Sequence, residues 1–246
     1  MKNHVKDKIF FAILQNVIVD DCMDTKHILD FIGRLNENNN REWFMANKAE
    51  YDAIKKETEQ FVREWTVAMT DIDPDTAVLQ PKECLFRIYR DVRFSSDKRP
   101  YKDHIGIILA PHGGRKSHYG CYYLHLQPGE SMFAAGMWNP EPELVKALRR
   151  DMYDNYDELE EIFSRDYVKR YFTSFDEWGL MKKVPAPYTS DFPHKDWIAR
   201  KMFTISTPIP DKILFSSRFL EHLLDICRAA APINKFLNYT LESMYC

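Results

Sequence analysis

Residues 87–102, RIYRDVRFSSDKRPYK, form a dense polar segment that brings guanidinium, ammonium and carboxylate groups close together. Six bases (Arg87, Arg90, Arg93, Lys98, Arg99 and Lys102) stand against two acids, Asp91 and Asp97. Converging guanidinium forks hold a phosphate or carboxylate through paired hydrogen bonds, which a lysine cannot copy. On this reading Arg87, Arg90 and Arg93 bind a small anion, and Lys98, Tyr101 and Lys102 complete the ligand-binding set. Asp91 and Asp97 are then the catalytic candidates, orienting the arginines or serving as acid or base. The same residues can instead form an internal Arg–Asp network that pins a loop and needs no ligand. A further alternative is nucleic-acid contact, with Tyr89, Phe94 and Tyr101 stacking bases between basic residues.

In strand geometry Arg87, Tyr89, Asp91 and Arg93 point one way, and Phe86, Ile88, Val92 and Phe94 the other. Arg90 interrupts the apolar face. It must bulge out or be drawn inward to a partner, and Asp97 or a distant carboxylate suits better than its neighbour Asp91. His104, His112, His118 and His125 cluster nearby, but their spacing matches no ligand pattern, so no metal is expected. Ala134 and Gly136 leave room on one strand face for a ligand or for packed aromatics, with Tyr122, Tyr123 and Trp138 as walls.

The elements that must position this segment follow from periodicity. Ile28, Ile32 and Leu35 predict a helix over 25–35, stopped by the polar run 36–40. A long helix from about Arg41 carries the stripe Phe44, Tyr51, Ile54, Phe61, Trp65 and Met69, which reads as core. The period then changes to two, predicting strands at 85–89, 105–109, 119–127, 131–138 and 201–207. Pro128-Gly129 suits a tight turn, making its flanking strands an antiparallel hairpin. Helices resume at 140–152, and closing helices over 214–230 and 233–244 are expected to break at Pro232. The stretch 151–161 holds six acids and no base and reads as a solvated helix face. The expected architecture is α+β: a mainly antiparallel sheet from the middle of the chain, flanked by N- and C-terminal helices, as one domain over 23–246.

Composition sets the outer bounds. The 246 residues carry 34 Lys plus Arg against 37 Asp plus Glu, a net charge of -3. That excludes a protein held to nucleic acid by bulk charge and argues against a broad nucleic-acid footprint. With 45% hydrophobic residues the chain can bury a core. No stretch is apolar enough to span a bilayer. Five widely spaced cysteines without a C-x-x-C read as reduced thiols, and the protein is expected to be cytoplasmic. Residues 1–22, with Lys2, Lys6 and Lys8 before an apolar run, read as a leader or a mis-assigned start; Met23 is the favoured beginning, with Asp24 and Thr25 as helix cap. No Walker, dinucleotide-fold, serine-hydrolase or zincin motif occurs, and no cofactor is called for.

Several of these pieces together resemble a known family. Arg87-x-x-Arg90-Asp91-x-Arg93-Phe94, Asp97-Lys98 and Tyr101-Lys102 are similar to the signature of a bacterial family, domain of unknown function 2461. Asn40-Arg41-Glu42-Trp43-Phe44 looks like its N-terminal motif, and Gly113-Gly114, the strand 120–129 and Gly136-Met137-Trp138-x-Pro140 like its middle. The resemblance runs from about Met23 to about Thr207 and more loosely to the end, and the segment 192–201 departs from the pattern. It implies a soluble bacterial protein starting near Met23 and carries no established activity.

Overall fold

A computed structural model describes residues 23–245, so the reading of 1–22 lies outside the described residues. The first helix, α1 (Thr25–Glu37), starts where Asp24 accepts a hydrogen bond from the His27 amide at 2.9 Å. It buries Ile28, Ile32 and Leu35. Asn40 caps α2 (Arg41–Ala46) through the Trp43 amide, and α3 (Lys48–Ala68) follows. The expected long helix is thus broken at Asn47, whose side chain donates to the Trp43 carbonyl at 2.8 Å. The aromatic stripe is core as expected: Phe44, Ile54, Phe61, Trp65 and Met69 are buried, and Tyr51 packs against them.

The short α4 (Pro81–Cys84) leads into β1 (Ile105–Leu109), β2 (Cys121–Leu126) and β3 (Met132–Met137). Helices α5 (Pro142–Asp154), α6 (Tyr156–Ser164), α7 (Asp166–Lys169) and α8 (Lys195–Ile198) come before β4 (Phe203–Pro208). The short α9 (Asp211–Leu214) and the long α10 (Phe219–Ser243) close the chain. The four strands form one antiparallel sheet in the order β1-β2-β3-β4, so the chain is α+β with helices at both ends. Gly129 takes φ +73 in the β2–β3 turn, as the Pro-Gly pair requires.

Register places Ile107, Leu109, Tyr122, Leu124, Phe133, Ala135, Phe203 and Ile205 on one buried face. Helix α10 packs against β2 and β3. It runs unbroken through Pro232, against expectation. Proline removes one intrahelical hydrogen bond, but Cys227, Ala229, Ala230 and Ile233 are fully buried around it, and shared burial holds both halves in line.

Two further expectations need correction. Residues 85–89 are not a regular strand: Leu85 bridges Ile107 while Tyr89 bridges Tyr101, so the two ends answer to different partners. The space beside Gly136 is closed as well. At φ +101, a Cβ there would lie 2.0 Å from the Phe203 carbonyl oxygen, so the glycine exists to let β4 approach β3. Trp138 does not wall that space; it is exposed and meets Trp178 edge-on at 5.3 Å.

Candidate functional site

The signature segment folds back on itself. The Arg90 amide donates to the Pro100 carbonyl at 2.9 Å and the Lys102 amide to the Ile88 carbonyl at 2.8 Å, which leaves 91–99 as a loop. Arg90 is half-buried, and its Nη1 donates to Asp97 Oδ2 at 2.6 Å and to the Arg99 carbonyl at 3.3 Å. The inward partner of Arg90 is therefore Asp97. Arg99 shares that carboxylate at 2.9 Å and reaches across to Asn36 Oδ1 on α1 at 2.7 Å. Arg93 turns to Asp91, 2.6 Å away, and Lys98 donates to the Val92 carbonyl at 3.0 Å. Phe94, expected on the apolar face, is 97% exposed, because the loop has left strand geometry before reaching it.

These pairings hold both carboxyls below the usual range. For Asp97 the main cause is hydrogen bonding from Arg99, with Arg90 adding to it; for Asp91 it is Arg93.

Tyr101 lies beneath the loop, buried rather than facing a ligand. Its ring stacks on Phe44 at 4.1 Å, and Asn39 grips its backbone at both polar atoms, at 3.0 and 3.1 Å. The Asn40–Phe44 motif and the arginine signature therefore meet at Tyr101. The three arginines do not converge: Arg90 and Arg93 are occupied in the loop, while Arg87 belongs to a different surface, with Lys102 at its edge over the Phe86 ring.

That surface is a groove of about 370 Å³ between α3 and residues 82–89. Tyr51, Ile54, Leu85, Phe86 and Ile88 supply its apolar lining, and Lys48, Lys55, Lys82, Arg87 and Arg115 bring positive charge. Lys48 pairs with Asp52, and Lys55 lies 3.7 Å from Glu59, so α3 neutralises its own lysines. Arg87 and Lys82 make no side-chain hydrogen bond or ion pair among the described residues.

Arg115 is anchored through Nη2 to the Lys82 carbonyl at 2.8 Å and Nε to the Glu83 carbonyl at 3.3 Å, leaving Nη1 over. Lys102 and Arg115 both lie over the Phe86 ring, 5.1 and 5.9 Å from its centre. Burial, then the charges of Arg87 and Arg115, push the Lys102 ammonium below its ordinary value.

Glycines make this arrangement reachable. Gly114 has φ +57, and a Cβ there would lie 2.5 Å from the Glu83 carbonyl oxygen, so the turn carrying Arg115 seats directly on α4. A Cβ at Gly106 would meet Tyr123 Oη at 2.8 Å and Phe86 at 3.2 Å, so its absence lets Phe86 lie over the outer face of β1. Arg115 and Lys82 were absent from the sequence-derived set. The available signal was Gly113-Gly114 directly before Arg115-Lys116, a turn glycine pair followed by charge.

The histidines separate. His112 packs edge-on to Tyr119, whereas His104 and His125 stack at 4.2 Å, with His104 at the groove. Among the described residues no group of three or more His, Cys, Asp or Glu side chains is arranged to hold a metal ion. None of their helices is long and apolar enough to cross a membrane.

The family model described as a conserved hypothetical protein (DUF2461) matches residues 27–236. The chain belongs to this family. No curated protein and no solved structure matches it.

Proposed function

We propose that the groove between α3 and residues 82–89 binds a small anion of the phosphate type. The observation that carries this reading is a cluster of cations outside any ion pair. Lys82, Arg87 and Arg115 line the groove and Lys102 lies over its Phe86 ring, none of them in a side-chain salt bridge among the described residues, although the charge of Arg87 reaches Asp91; the neighbouring lysines are paired. Lys102 is partly desolvated, which is unfavourable without a counter-charge, and a doubly charged oxyanion supplies one, with several acceptor oxygens left for the exposed Lys82, Arg87 and Arg115. The apolar side of the groove suits the carbon part of such a ligand.

The loop arginines take a different role. Arg90 and Arg99 on Asp97, with Arg99 reaching Asn36, form a strap that holds the signature loop to α1, and the pairing geometry favours this over direct ligand contact. Of the sequence-derived set, Arg87 and Lys102 remain as ligand-binding residues.

Calorimetric titration of inorganic phosphate at constant ionic strength tests the proposal. Saturable binding that is lost in Arg87→Ala plus Arg115→Ala supports it; no heat from the wild-type protein overturns it. Salt-steep binding of a single-stranded oligonucleotide without phosphate binding would favour nucleic-acid contact instead.

A further inference from the structure

His104 lines the same groove and is held in a way that anion binding does not use. Its Nδ1 lies 2.9 Å from Asp103 Oδ1. A carboxylate at that position accepts the Nδ1 proton and fixes the tautomer whose lone pair is on Nε2. Nε2 makes no hydrogen bond to the described residues. The ring is braced from behind by His125, which is itself tethered at both nitrogens, to Tyr123 Oη at 3.0 Å and Gln127 Oε1 at 2.7 Å. Burial lowers the His104 pKa from its ordinary value; His125 and Lys102 add to this and Asp103 opposes it. This shift favours the neutral ring. An oriented neutral imidazole beside unpaired cations is the arrangement that nucleophilic attack on phosphorus needs.

We infer that the groove is a phosphoryl-transfer site in which His104 Nε2 attacks a small phosphate monoester. The inference rests on the phosphate reading above. The Nε2 lone pair forms a bond to phosphorus while the ester P–O bond breaks. Its electron pair leaves on the alcohol or phenol oxygen, which takes a proton from water. Asp103 holds the Nδ1 proton and offsets the positive charge that the ring acquires. Arg87, Arg115 and Lys102 face the phosphoryl oxygens. Water then attacks phosphorus, the N–P bond breaks with its electrons returning to Nε2, the water's proton passes to solvent, and inorganic phosphate leaves.

The test uses p-nitrophenyl phosphate with the full chain. The readouts are nitrophenolate release and a phosphoryl group, stable in alkali and labile in acid, trapped on the peptide containing His104. Both are expected from the wild type. His104→Gln should abolish both while inorganic phosphate still binds in the calorimeter, and Asp103→Asn should slow turnover with binding unchanged. Phosphate binding without turnover or trapped phosphoryl overturns this inference and leaves the binding proposal standing. Absence of phosphate binding overturns both. Turnover that survives in His104→Gln, or a phosphoryl group trapped on another residue, overturns the assignment to His104. If His104→Gln melts early, the trapped peptide from wild type still decides the matter.

Discussion

Replacing Arg87 by alanine separates binding from architecture. Its side chain is exposed and makes no hydrogen bond or ion pair among the described residues, so removal should leave stability within about 0.5 kcal/mol, as for an ordinary surface position. A guanidinium that donates charge-assisted hydrogen bonds to an oxyanion contributes about 1.5–3 kcal/mol. That corresponds to phosphate binding weaker by roughly 10- to 150-fold. Arg90→Ala should behave in the opposite sense. It strips Asp97 of one partner and cuts a hydrogen bond to the Arg99 carbonyl, so the melting temperature falls while phosphate affinity holds. Calorimetric titration at fixed ionic strength and thermal unfolding by circular dichroism give both quantities for each variant. Wild-type affinity in Arg87→Ala, or a larger loss of affinity in Arg90→Ala than in Arg87→Ala, refutes the division of labour between groove and loop.

Further outcomes follow from other contacts. Asn39→Ala removes two hydrogen bonds to the Tyr101 backbone and should cost about 1–3 kcal/mol in urea unfolding. Gly136→Ala meets the Phe203 carbonyl and a left-handed backbone, so its loss should exceed about 2 kcal/mol, visible as a lower urea midpoint. Because its guanidinium partners depress the Asp97 carboxyl in the folded state, its contribution is present above the unfolded pKa of about 4 and is lost as pH falls below it. Melting temperatures between pH 7 and roughly 3 should therefore fall less steeply in Asp97→Asn than in wild type.

The sheet was legible because its strands alternate cleanly and one face is buried; Tyr122, Leu124 and Leu126 sit on the inner side as their spacing requires. Asp97 as the partner of Arg90 was legible for a related reason: adjacent residues on an extended chain face opposite ways. Pro232 misled because local propensity was outweighed by the burial around it. The fate of Phe94 depended on where strand pairing ends, which is set by Tyr89 and Tyr101 pairing across 12 residues of sequence. The groove was hidden most completely. Arg115 comes to it from a turn 28 residues beyond Arg87, held by backbone carbonyls of α4 that carry no sequence signature.

Anomalous diffraction from crystals soaked in tungstate, a phosphate analogue with a strong absorption edge, distinguishes the groove cations beside Phe86 from the loop arginines as the proposed anion receivers. An anomalous peak within contact of Arg87 and Arg115 is expected. A peak at Arg90 and Arg93 with the groove empty, or none anywhere near Phe86, would contradict it.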